Sequence, residues 1–274
     1  MVEVHMLHGC VPSWRPQAQL VRNYVAEDAL RKHLSGRDRA YGPLSDLADR
    51  DALTVDDSTR GAARACVLAR AAGHDVTLFV NPAQIADRRT YWFSRFDAVL
   101  DARRVDTVTL DGREFPLDPG PPLRAFRLAA KARLMALPAV EAEAAVDDLA
   151  ARLRAGAVVV PEHALTLSLD SLLELVERGV GIGSHGWDHR DIAGMTLAEV
   201  VADLRRAREW FQAHLGLSPA HYAVPYGLVP LPEPATAEVG GMVLLASPAL
   251  GFGPVGERHW NRRAITGDLQ GRAQ

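Results

Sequence analysis

Cysteine is scarce in this chain: Cys10 and Cys66 are the only two in 274 residues, and no CxxC pair occurs. A disulfide framework is therefore not expected, and a cytoplasmic location is. Each thiol is expected to be a small buried apolar group. There is no basic block either. Net charge is −3, and the arginines are interleaved with Asp and Glu, so no nucleic-acid partner is expected. The longest uncharged stretch, Val239 to Gly256, is broken by Gly240, Gly241, Pro248, Gly251, Gly253 and Pro254. Such a stretch does not read as a membrane-spanning helix. The opening Met1 to Trp14 carries Glu3, His5 and His8 among its apolar residues and lacks the basic and apolar regions of a signal peptide. No internal repeat is visible. What remains is an ordinary soluble composition, 48% hydrophobic and 24% charged, long enough for one large α/β domain or two small ones.

Short apolar runs alternate with helical patterns, which predicts a parallel α/β architecture. Strands are predicted at Val2–Leu7, Ala52–Val55, Val76–Val80, Ala157–Val160, Val180–Gly183, His221–Val224 and Met242–Ala246. Helices are predicted from Ser58 to Ala72, with Gly73 at its C-terminal end, and from Ser171 to Arg178, capped by Asp170. The clearest helix runs from Leu197 to Leu215. Thr196 and Glu199 form a capping box, Leu197, Val200, Val201, Leu204, Ala207, Phe211 and Leu215 fall on one face, and Gly216 closes it. Residues 86–156 read differently. They hold Tyr91-Trp92-Phe93, a turn at Asp111-Gly112, a loop from Pro119 to Pro122 and an Ala-rich helix from Val140 to Leu153. This segment is expected to be an insertion, either a wall of a substrate cleft or extra packing.

Three segments follow directly on predicted strands and would meet at one end of a sheet. Asp56 and Asp57 end a strand. One carboxylate can bind a metal while the other acts as a base, or the pair can simply cap the helix after it. His185 and His189 have the i, i+4 spacing that presents two nitrogens to one ion, or they are hydrogen-bonding histidines. Asp188 and Asp191 lie close by in sequence and are expected either to orient those imidazoles or simply to be solvated. Asp57, His185 and His189 together would leave open positions on a divalent ion, as catalysis requires. Pro225-Tyr226-Gly227 is a turn whose Tyr226 N–H can face a developing oxyanion.

These residues resemble the polysaccharide deacetylase family, the NodB-homology or carbohydrate esterase family 4 enzymes. Leu53 to Val80, LTVDDSTRGAARACVLARAAGHDVTLFV, resembles the family's TFDDG strand, helix and following strand. Leu172 to Gly227 resembles its run from the IGSH…H segment to PYG. Met6-Leu7-His8 resembles a YH near the start of many members. Thr166 to Asp170 and the Tyr91-Trp92 region resemble bacterial exopolysaccharide-type members. The likeness thins out over Phe93–Glu162 and after Leu245. It implies an α/β fold, a distorted (β/α) barrel of about seven strands with a helical insertion, as one catalytic domain over residues 1–274. It also implies removal of an N-acetyl group at a divalent metal ion, with zinc the expected one. By position, Asp56 is the implied general base, Asp57, His185 and His189 the implied metal ligands, and Tyr226 the source of the oxyanion N–H.

Three departures stand out. Ser58 takes the place of the family's Gly. Ala223 takes the place of an Arg that orients the base, for which Arg262 or Arg263 is the expected substitute. The late Leu-x-Leu-His element is not evident, and His259 is the candidate general acid. Trp187, Tyr226 and Trp260 are candidates to stack on a sugar. The expected substrate is a small N-acylated molecule, an amino sugar or sugar conjugate. The alternatives are a non-sugar acylated metabolite and a metal- or sugar-binding homologue without catalysis.

Overall fold

The computed structural model describes residues 2–12, 24–47 and 49–265; residues 1, 13 and 14 of the opening segment lie outside them. Its centre is a parallel sheet of short strands: β1 (Val4–Leu7), β2 (Ala52–Asp56), β3 (Thr77–Val80), β4 (Gly181–Ser184), β5 (Tyr222–Ala223), β6 (Val243–Leu245), β7 (His259–Asn261) and β8 (Arg263–Ala264). β1, β2, β3 and β6 are buried along their whole length, which is why they read as apolar runs rather than alternating ones.

From β1 to β7 each strand pairs in parallel with the next in number. β7 pairs with β6 (His259 opposite Val243, Asn261 opposite Leu245). One residue later β8 pairs with β1, with Arg263 opposite His5 and Ala264 opposite Met6. The main chain bridges the two through Arg262, whose N–H donates to the Leu245 carbonyl at 3.0 Å, and Ile265, whose N–H donates to Met6 at 2.7 Å. The segment 259–265 thus joins the last strand to the first and closes a distorted ring. This is the NodB-type α/β barrel expected from the resemblance.

Helix α1 (Arg60–Ala71) starts at Thr59, whose hydroxyl accepts the Ala62 N–H, and buries the small residues Gly61, Ala62, Ala65, Cys66 and Ala69. Gly73 follows it in the left-handed conformation (φ 79°). Cys10 and Cys66 are free and buried. Burial pushes the Cys10 thiol up to about 12 and raises that of Cys66 further, which suits packing rather than nucleophilic attack. Gly183 in β4 is forced by a close approach, since a Cβ there would lie 2.2 Å from the Phe79 ring.

The long helix runs from Leu197 to Leu215, with both halves of the Thr196/Glu199 capping box formed and Gly216 left-handed at its end. Two expectations are corrected. Ala157–Val160 is irregular backbone, with Val159 75% exposed, so its apolar run has no sheet to join. The helix Leu169–Glu177 is capped by Ser168, which accepts the Ser171 N–H; Asp170 sits in its first turn.

Residues 92–152 form α2 (Trp92–Asp101), a hairpin (Thr107–Leu110 with Arg113–Pro116), α3 (Pro121–Met135) and α4 (Ala139–Arg152). Asp111 and Gly112, both at positive φ, make the tight turn of the hairpin. Pro121 and Pro122, expected in a loop, open α3, where a missing N–H costs nothing. Phe96, Leu100, Phe115, Phe126, Leu134 and Val146 give this segment its own apolar cluster, and Tyr226 packs against it.

Candidate metal centre

Asp56 ends β2, His185 follows β4, and Tyr226 lies three residues beyond the end of β5, so the parallel sheet delivers all of them to the carboxyl ends of its strands. One ligand atom each from Asp57, His185 and His189 lies within 4.8 Å of the others, all three residues buried. Asp57 Oδ1 is 3.3 Å from His189 Nε2 and 3.8 Å from His185 Nε2. His185 Nδ1 faces the Ala223 carbonyl at 2.7 Å. A proton held there leaves the Nε2 lone pair turned inward, the tautomer a metal ligand needs. Asp57 Oδ1 is buried with no hydrogen-bond partner. An orphan carboxylate oxygen facing two imidazoles fits a divalent cation.

The electrostatics agree. Burial, then the Asp56 charge beside it, pushes the Asp57 carboxyl up to about 8. Burial lowers His185 and holds His189 well below the usual imidazole range, so both rings are neutral at pH 7. Asp56 goes the other way. Burial would raise it, but the charge of Arg262, with His185 and two Arg262 hydrogen bonds, holds it well below the usual carboxylate range. Arg262 is itself buried and grips Asp56 at 2.6 and 2.7 Å. Of the two expected arginines, then, Arg262 meets the base; Arg263 is exposed and pairs with Glu3 at 2.8 Å.

Three of these residues sit in backbone regions that L-residues avoid: Asp57 (φ 72°), His189 (φ 62°) and Tyr226 (φ 61°). Tyr226 occupies the third position of a turn closed by the Gly227 N–H to the Val224 carbonyl, a position that favours Gly. Such strain persists where the surroundings over-determine it. Around Asp57 they do. The Ser58 N–H donates to the Tyr91 hydroxyl at 2.7 Å, Tyr91 donates to Asn81 at 2.8 Å, and the Asn81 N–H returns to the Ser58 hydroxyl at 2.9 Å. Asn81 also donates to the His185 carbonyl, tying both halves of the centre together. Ser58, a departure from the family pattern, is therefore part of this network. His189 is boxed edge-on by Tyr226, Phe93 and Tyr91 at centroid separations of 4.7, 5.3 and 5.8 Å.

A cavity of about 180 Å³ opens beside the centre, lined by His8, Asp56, Lys131, His185, Tyr226 and Arg262 among others. His259 is not among its lining residues. It pairs with Val243, the first residue of β6, at the amino ends of the strands, and its electrostatic neighbours are Glu233 and Arg258. Besides the ligand His185, the imidazole lining the cavity is His8, which burial pushes down to about 4 against the opposing pull of Asp56. Of the aromatics expected to meet a sugar, Tyr226 lines the cavity, whereas Trp187 lies under the Arg206 guanidinium at 3.9 Å and Trp260 packs beside Phe79. Asp191 caps the Ala193 N–H at 3.0 Å instead of holding an imidazole.

The family model described as polysaccharide deacetylase matches residues 137–237, a span with His185, His189 and Tyr226 but without Asp56 and Asp57. Among solved structures, the chain is similar to the Streptococcus pyogenes deacetylase PplD in complex with acetate (TM-score 0.59, 13% identity, 97% of this chain and 93% of that one). It is similar to BC0361, a polysaccharide deacetylase from Bacillus cereus (TM-score 0.54, 13% identity, 97% of this chain, 65% of that one). It is also similar to IcaB from Ammonifex degensii (TM-score 0.52, 16% identity, 97% and 92%). No curated protein matches the chain in sequence. The family match covers only part of the chain, and the likeness to these solved structures is one of fold: the chain carries the fold that they share.

Proposed function

We propose that the chain is a metal-dependent hydrolase that removes an N-acetyl group from an amino sugar or sugar conjugate. The observation that carries this reading is the convergence of Asp57, His185 and His189 on one point, with the Arg262-held Asp56 4.0 Å from His185. In this reading residues 1–274 act as one catalytic domain, with the segment 86–156 inserted.

Asp57, His185 and His189 would hold a divalent cation, zinc being the ion their donor set suits. When bound it supplies Lewis acidity toward the acetyl carbonyl and lowers the pKa of water. Asp56, kept ionised and oriented by Arg262, takes the proton of the attacking water. The Tyr226 N–H faces the oxyanion of the tetrahedral intermediate. His8, neutral at pH 7, would relay that proton to the departing amine, a role supported by its sharing the cavity with Asp56. A cytoplasmic setting belongs to the same proposal and is supported by the two free, buried cysteines.

A second substrate reading has one observation in its favour. Apart from Tyr226, Lys131 and Asp191, the groove outside the cavity is lined by small or aliphatic residues, among them Leu128, Met135 and Leu228, which suits a non-sugar acylated amine. The test is acetate release from a panel of N-acetylhexosamines and N-acetylated aliphatic amines, with zinc-loaded and chelator-treated protein. The proposal expects zinc-dependent release that Asp56→Asn lowers at least ~100-fold while zinc stays bound. Equal release by Asp56→Asn would overturn it.

A further inference from the structure

Lys131 reaches the catalytic cavity from outside the barrel. It lies on α3 in the stripe Leu128, Lys131, Ala132, Met135, whose i, i+3, i+4, i+7 spacing faces the centre. The other members of that stripe are apolar. Lys131 and Tyr226 line both the inner cavity and the outer groove of about 660 Å³, so they form the wall between the two.

Among the described residues, no carboxylate pairs with the Lys131 amine. The amine lies over the Tyr226 ring, 5.8 Å from the ring centroid. The acid on the neighbouring helix, Asp97, is held bidentately by Arg127 at 2.7 and 2.8 Å. Asp191, at the edge of the outer groove, gives an oxygen to the Ala193 N–H. Asp56 is committed to Arg262. Lys131 is half-buried, so its charge is neither neutralised by a partner nor fully screened by water.

A cation in that position opposes the metal that the centre is built to hold. Counting formal charges around the cavity, Arg262 cancels Asp56. One charge of a divalent ion survives Asp57, and Lys131 adds another, so the loaded site carries about two positive charges. Such a field favours an anion lying between Lys131 and the centre.

We propose that Lys131 is a substrate-positioning residue that selects an N-acetylated amine bearing a carboxylate a few bonds from the acetamido group. This rests on the deacetylase reading above and specifies its substrate class. The inner cavity takes the acetamido group, and the carboxylate meets Lys131 at the wall.

The test compares zinc-loaded wild type, Lys131→Met and Lys131→Arg on N-acetylglucosamine, its 3-O-lactyl ether and its 6-phosphate. Wild type is expected to favour the lactyl ether over the neutral sugar at least tenfold in kcat/KM. Lys131→Met is expected to reduce that ratio at least tenfold, mainly through KM for the anionic substrate, and Lys131→Arg to restore most of it. A phosphate preferred over the carboxylate, a ratio that does not move, or an equal loss on charged and neutral substrates would each overturn the inference while leaving the deacetylase reading in place. Calorimetric binding of the free-amine products to metal-free protein gives an independent decision. Tighter binding of the lactyl ether that is lost in Lys131→Met supports the anion site even if no compound is turned over, an outcome that counts against the deacetylase reading alone. Equal binding of both products defeats the anion site.

Discussion

Arg262 and Asp56, 206 residues apart in the chain, meet in a buried two-point ion pair at the seam of the barrel. Arg262 is the residue at which the segment 259–265 passes from pairing with β6 to pairing with β1. Barrel closure and orientation of the base are therefore one structural event.

Removing one partner of this pair strands a buried charge. Arg262→Met is expected to cost about 3–5 kcal/mol of stability and to abolish turnover. The double variant Asp56→Leu, Arg262→Met is expected to recover more than half of that loss, because neither charge is then left alone. Denaturant unfolding of the two single variants and the double checks both numbers through the coupling energy.

The two imidazoles outside the metal set are expected to separate in kinetics. His8→Asn should lower kcat by about 100-fold or more, with zinc stoichiometry unchanged. His259→Ala, at the amino ends of the strands, should change kcat less than about twofold. Steady-state kinetics with metal analysis decides between them, and the reverse order would return the acid role to His259.

Local motifs were readable before the fold was known. Asp56-Asp57 and His185-His189 each place their groups through a few bonds of one strand end, so spacing alone carried the signal. The residues that came from elsewhere did not show it. His8, Asn81 and the Ala223 carbonyl reach the centre only through the pairing of their strands with those that carry Asp56 and His185, and Lys131 only through the packing of α3. Arg262 was narrowed to a pair by its apolar surroundings and chosen only by the ring geometry. Ala157–Val160 misled because an apolar run marks a strand only when a neighbouring strand is there to bury it, and Val158 and Val159 are exposed.

The network beneath Asp57 has its own signature. Tyr91→Phe removes the hydroxyl that accepts the Ser58 N–H and donates to Asn81. The loss is expected to be about 1–3 kcal/mol in stability and about 10-fold or more in zinc affinity. Competition against a chromogenic chelator, read beside urea unfolding, checks the two together.

Asp203 gives a pH dependence of known sign. Burial pushes its carboxyl up to about 7, opposed by the hydrogen bond it accepts from the Trp187 N–H. A folded-state pKa above the unfolded value means the folded protein holds the extra proton, so stability from this group is greatest below about 4 and declines as pH rises toward 7. Asp203→Asn should therefore gain stability relative to wild type as pH rises from about 4 to about 7. Urea midpoints at four pH values across that window measure the trend, and a parallel pair of curves would remove Asp203 as its source.

The most direct measurement is anomalous scattering at the zinc edge from crystals of the zinc-loaded protein. The account predicts one strong peak about 2.0–2.2 Å from an Asp57 oxygen, His185 Nε2 and His189 Nε2, with Asp56 close by but still gripped by Arg262. No peak there, or a peak bound by other residues, would contradict it.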